Sequence, residues 1–244
     1  MARWLIQLEG ESFDLVEFPR WFPDGDAYAV EENGKVYITG PTLEDCSEAS
    51  QVYEAAHQII DEFSAVIALL WPSLRRPSIG HVIREGDDGS RRSYAFASAS
   101  ATGRSKARFV ATIDGVQQDQ KRRTQAQELL AGSHVDAHLR EAVSMWGDPM
   151  RTWPRLYRIL EDIEKYLGQK VHEAEFCSKD QRERFTRSAN SAEVAGKDAR
   201  HAAGKYKPPK NPLNLADGVS FVSGLLQSAL QRAAEDDQGA SSEV

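Results

Sequence analysis

Cysteine is almost absent from the 244 residues: Cys46 and Cys177 stand far apart in unlike contexts. That fits a reducing compartment better than a disulfide framework, and it excludes a CxxC metal knuckle. No apolar run approaches the roughly 20 residues of a bilayer-crossing helix, the longest, near Val66 to Trp71, ending at Pro72. At the N-terminus charge arrives before a signal-peptide h-region can form. The sequence therefore predicts a cytoplasmic protein without a membrane segment. Also lacking are a GxxxxGK[ST] loop, a GxGxxG after a strand and a GxSxG elbow, which removes the usual marks of triphosphate, dinucleotide and α/β-hydrolase chemistry.

What is present is ordinary globular composition, 41% hydrophobic and 27% charged, enough for one large or two modest domains. Trp4, Ile6 and Leu8 alternate as in a half-buried strand, and Tyr28–Val30 and Val36–Thr39 flank Asn33-Gly34, a tight hairpin signal. Thr42 and Asp45 resemble a capping box before a long one-sided helix carrying Val52, Ala56, Ile59, Ile60, Phe63 and Ile67. Strands around Ile79–Ile83, Tyr94–Ser98 and Phe109–Ile113 follow. Beyond Gly115 the period changes to helical: 117–130, 135–146, 153–167 closed by Gly168, a helix capped by Ser178 and Gln181, and a last one capped by Asn214. We read α+β architecture: a small antiparallel sheet with one long covering helix (1–116), a helical domain (117–234), and a disordered acidic tail (235–244).

Charge is unevenly laid out within a net −7. Residues 1–62 hold 3 cations against 14 carboxylates, and 182–210 hold 8 cations against 3. Solvated faces, a phosphate or nucleic-acid surface over 182–210, or a dock for the acidic region of the same chain or a second copy all fit this layout. Only Phe185 and Tyr206 interleave the cations, which is thin for a single-strand stacking platform.

Three constellations bear on chemistry. His134 and His138 lie i, i+4 with Glu141 one turn on, yet Val135 stands where a zincin needs Glu, and a bare pair supplies too few ligands; no metal and no cofactor is expected. Cys177 with His172 nearby reads as a small buried hydrophobe rather than a nucleophile. The most unusual stretch clusters Arg187, Asn190, Arg200 and His201 around Gly196. A structural corner accounts for Asn190 and Gly196; two guanidinium forks and an imidazole can also converge on a phosphate or carboxylate.

Phe185-Thr-Arg-Ser-Ala-Asn190, Gly196, Ala199-Arg-His-Ala202, Pro209, Pro212-Leu213 and the closing amphipathic helix resemble a group of uncharacterised bacterial two-domain proteins with an N-terminal α/β part and a helical C-terminal part. The resemblance covers mainly 153–232. The same stretch is loosely similar to the helical HEPN domains of nucleic-acid-linked toxins and defence proteins. In that family the ribonuclease mark is an Arg followed four to six residues later by a His; here Arg200 directly precedes His201. The expectation is an intracellular binding or regulatory protein whose helical domain offers Arg187, Asn190, Arg200 and His201 to a phosphate-bearing ligand or a protein partner. Alternatives are a HEPN-like nuclease, toxin or phage-defence effector, and a structural subunit, the partner being a protein, a second copy, or nucleic acid through 182–210.

Overall fold

The computed structural model describes residues 3–96, 112–113, 116–199 and 207–242, and the chain forms two compact units, 1–127 and 128–244. The first is built on β1 (Arg3–Glu9), α1 (Ser12–Leu15), α2 (Phe18–Trp21), β2 (Tyr28–Glu32), β3 (Lys35–Thr39), α3 (Pro41–Glu44), α4 (Ala49–Leu70), β4 (Ser78–Glu85), β5 (Arg91–Ala95) and a small ribbon, β6 (Thr112–Ile113) with β7 (Val116–Gln117). Five strands pair in the order β2-β3-β1-β4-β5. All pairs are antiparallel. Since β3 and β4 both oppose β1, they run parallel to each other, and their link must cross β1; α4 is that crossover.

Local chemistry sets these elements. Asn33 (φ 53°) and Gly34 (φ 72°) both adopt positive φ at the β2–β3 turn, the requirement of a type I′ hairpin. The predicted start of the long helix at Thr42 is corrected. Leu43 is fully buried and the Cys46 carbonyl accepts from Trp4 Nε1 at 3.1 Å, so it does not join a helical ladder. The chain therefore makes a single turn, α3, and restarts at Ala49. There Gln51 Oε1 takes the backbone N–H groups of Ser47 (3.0 Å) and Glu48 (3.2 Å), two donors that the helix itself leaves unsatisfied. From α4, Val52, Ala56, Ile59, Ile60, Phe63 and Ile67 are buried, and Phe63 stacks on Phe22 with ring centroids 3.7 Å apart.

The sheet also buries apolar residues on its other face, where Leu5, Tyr37 and Ile83 cluster with Val30. Four charges show how. Glu32 on the first strand of the order meets Arg91 on the last at 2.6 Å and Arg3 at 2.7 Å; Glu85 meets Arg3 at 2.5 Å and Arg91 at 2.7 Å. Backbones four strand spacings apart in a flat sheet would lie about 19 Å apart, beyond the joint reach of one Arg and one Glu. The sheet is therefore curled, and the alternating ring of charges joins its edges over the second apolar cluster.

The second unit contains the end of α5 (Gln118–Val135), α6 (Ala137–Gly147), α7 (Trp153–Leu167), α8 (Lys179–Asn190), α9 (Ala192–Ala195) and α10 (Leu215–Ser242). Asp136 caps α6 through the N–H groups of His138 and Leu139. Gly168 (φ 65°) ends α7, Ser178 and Gln181 form a reciprocal box before α8, and Asn214 Oδ1 accepts from Asp217 N at 2.9 Å; these caps match the sequence signals. α10 continues to Ser242, past Ala234 where the composition suggests a tail. Helix α7 packs against α6, α8 and α10, with Trp153, Leu156, Ile159, Leu160 and Ile163 buried. Among the described residues no helix is long and apolar enough to cross a membrane.

Two outcomes test this packing. At Gly132 a Cβ would strike the Leu230 carbonyl of α10, whereas at Gly224, also helical, it would meet nothing. Gly132→Ala should cost about 1–3 kcal/mol, while Gly224→Ala should be neutral or stabilising by up to about 1 kcal/mol; equal thermal unfolding midpoints for the two would contradict the close α5–α10 crossing. In the ring, burial pushes the Glu32 carboxyl up but hydrogen bonds from Arg91 and Arg3 outweigh it, and Glu85 is lowered by Arg3 and Arg91. Both carboxylates thus sit below the usual value. Their contribution is complete above about pH 4.3 and is lost as pH falls through the folded values. A Glu32→Gln, Glu85→Gln double variant should lose stability at pH 7 and show a flatter acid dependence of its melting temperature.

Candidate anion site of the helical unit

Glu164, on α7, is a charged group beside the apolar face of its helix, 8% exposed. Arg182 of α8 grips it through two bonds, Nε at 2.5 Å and Nη2 at 3.0 Å. Lys170 Nζ donates at 2.9 Å and the Val171 backbone N–H at 3.4 Å. One carboxylate therefore joins α7, the 168–178 connection and α8, with fully buried Val171 anchoring the connection beside it. Burial raises the Glu164 carboxyl, and hydrogen bonds from Arg182 and Lys170 more than offset this, leaving it below its usual range.

This geometry sorts the cations of the basic stretch. Arg182 is spent on Glu164. Arg184 Nε donates to the Asn211 carbonyl, and Ser188 Oγ donates to the Arg184 carbonyl at 2.8 Å while accepting from Leu213 N at 3.0 Å. These bonds fasten α8 to the segment before α10. Phe185 is fully buried, stacked on Tyr157 and tilted against Trp153 and Phe221, so it cannot serve as a stacking platform for bases. Arg187, Lys197, Lys207 and Lys210 are exposed and form no ion pair among the described residues.

Of the four predicted ligand residues, Arg187 and Asn190 lie three positions apart at the end of α8, Arg187 exposed and Asn190 6% exposed. Arg200 and His201 lie outside the described residues. Among the described residues Asn190 Oδ1 is buried without a hydrogen-bond partner, so the corner does not fully account for it. An open concavity of about 610 Å³ runs along Glu161, Glu164, Lys165, Gly168, Gln169, Lys170 and Glu173. Its two lysines are engaged, Lys165 with Asp162 at 2.8 Å and Lys170 with Glu164, and three carboxylates share its lining. It is a poor place for a phosphate.

The other candidates resolve into structural contacts. His138 Nδ1 faces the buried Asp162 carboxylate of α7 at 3.7 Å, and Glu141 faces Arg158 at 3.7 Å. Among the described residues no three of His, Cys, Asp and Glu converge to hold a metal. Burial pushes the Cys177 thiol up, the wrong direction for a nucleophile at neutral pH. Sequence reasoning missed Glu164; its signal was an acid pair, Asp162 and Glu164, flanking Ile163 on an otherwise apolar helix face.

Comparison with protein-family models, with characterised proteins and with solved structures finds no match for the chain.

Glu164→Gln should leave Arg182 largely buried without its counter-charge and lower the stability of the helical unit by about 3–5 kcal/mol, whereas Glu164→Leu combined with Arg182→Met should recover much of that loss. Thermal unfolding by circular dichroism checks both; a single variant as stable as wild type would show that the pair does not organise the unit. Because Glu164 sits low, the wild-type advantage holds above about pH 4.3 and fades as pH falls through its folded value.

Proposed function

We propose that the protein is an intracellular binding or regulatory protein, and that its helical unit takes a phosphate-bearing ligand on the surface at the end of α8 and the residues after it, with Arg187 and Asn190 joined there by Arg200 and His201. The observation carrying this reading is the contrast within one stretch. Arg182 and Arg184 are consumed by internal bonds, while Arg187, Lys197, Lys207 and Lys210 face solvent with no internal ion pair among the described residues. Exposed cations without carboxylates attract an anion and are screened by salt.

A protein with net charge −7 and pI about 5.5 should pass through phosphocellulose at neutral pH unless a local surface holds it. We expect retention at low salt, release at high salt, and loss of retention with unchanged melting temperature in a variant carrying Arg187→Glu, Lys197→Glu, Lys207→Glu and Lys210→Glu. Flow-through of the wild-type protein at low salt would refute the reading. Cleavage of an added RNA by the pure protein would replace it with the nuclease alternative.

A further inference from the structure

Buried polar atoms in folded proteins are nearly always paired, and each one left alone weakens the fold. Seven side-chain atoms among the described residues are buried without a partner, and three of them fall between positions 186 and 191: Thr186 Oγ1, Asn190 Oδ1 and Ser191 Oγ. Asn190 is 6% and Ser191 0% exposed. At about 100° per residue, Thr186, Asn190, Arg187 and Ser191 share roughly 140° of arc around the end of α8. Phe185 and Ala189, fully or nearly fully buried, lie outside that arc. The helix therefore turns one face to its own core, and next to an exposed guanidinium it carries three buried oxygens that have no hydrogen-bond partner among the described residues.

The chemistry of this face is specific. A carboxamide oxygen accepts a hydrogen bond, two hydroxyls both donate and accept, and a guanidinium binds an oxyanion through a fork. Inorganic phosphate would satisfy Arg187 but carries few P–OH donors at neutral pH for three partnerless oxygens, whereas a polyol carries several. We propose that the end of α8 binds a small phosphorylated polyol, a sugar phosphate or nucleotide, its phosphate on Arg187 and its hydroxyls on Asn190, Thr186 and Ser191. This rests on the anion-binding reading above and adds the ligand class.

Thr186→Val and Ser191→Ala remove hydroxyls with little change of shape. If those hydroxyls await a ligand, the double variant in the unliganded state should melt at the wild-type temperature or above it, since deleting an unsatisfied polar atom is neutral or favourable. Binding of ribose 5-phosphate, measured by calorimetry, should weaken by about tenfold or more, while binding of inorganic phosphate stays the same. Arg187→Ala should abolish both. A lower melting temperature for the unliganded double variant would overturn the proposal, because it would mean the hydroxyls already stabilise the fold. Ribose 5-phosphate binding no tighter than inorganic phosphate would overturn the polyol assignment and leave the anion reading standing; absence of binding by either probe would sink both.

Discussion

The helical unit depends on a carboxylate that is taken out of water and then surrounded by donors. Removing Glu164 from solvent is unfavourable by several kcal/mol for an ion of its size. The balance is restored only because Arg182 arrives in bidentate geometry and Lys170 completes the charge. The requirement is mutual. With Arg182 fixed on Glu164, the start of α8 has one azimuth about its axis, and that azimuth sends Phe185 into the aromatic cluster with Trp153 and Phe221. Three residues after Arg182 comes the core contact, and five after it comes Arg187, on the solvent side. The exposure of the proposed ligand residue is thus set a turn and a half earlier, by an ion pair that touches no ligand.

The sheet unit applies the same physics at its rim. Side chains alternate between faces, so a sheet covered by one helix ordinarily leaves its other face wet. Here that face carries Leu5, Tyr37 and Ile83, all buried. A curled sheet brings β2 and β5 toward each other, and the alternation of Arg3, Glu32, Arg91 and Glu85 leaves no like charges adjacent in the ring. Pairs this exposed are individually weak, but each carboxylate is shared by two guanidinium groups, and loss of one member leaves its neighbours imperfectly matched.

What the sequence disclosed and what it hid divide by the distance between partners. The Asn33-Gly34 turn, the Gly168 stop, the Ser178–Gln181 box and the Asn214 cap involve groups within three residues or fewer, and local rules found them. The covering helix was legible from its apolar spacing, and the α+β class followed. The misplaced start at Thr42 shows where such rules fail: its pattern was adequate, but a bond from Trp4, 42 positions away from Cys46, decided the backbone. Glu32 with Arg91, 59 positions apart, and Glu164 with Arg182, 18 apart, belong to the same kind. Nothing in one chain's local pattern distinguishes a surface arginine from one that organises a core. Counting 8 cations in 182–210 therefore overstated the anion surface, because Arg182 and Arg184 were already committed.

That subtraction sharpens the functional argument. If the stretch were merely a solvated face, its polar groups would be either bonded within the fold or open to water. Arg182, Arg184 and Ser188 meet the first condition, and Lys197, Lys207 and Lys210 the second. Asn190 Oδ1 and Ser191 Oγ meet neither: they are buried yet have no hydrogen-bond partner among the described residues. A fold selected only for stability would replace such groups with apolar ones of equal shape. Their placement one turn from a guanidinium that forms no ion pair among the described residues, on a helix whose rotation is fixed elsewhere, is the feature on which the proposed hydroxylated-anion site rests.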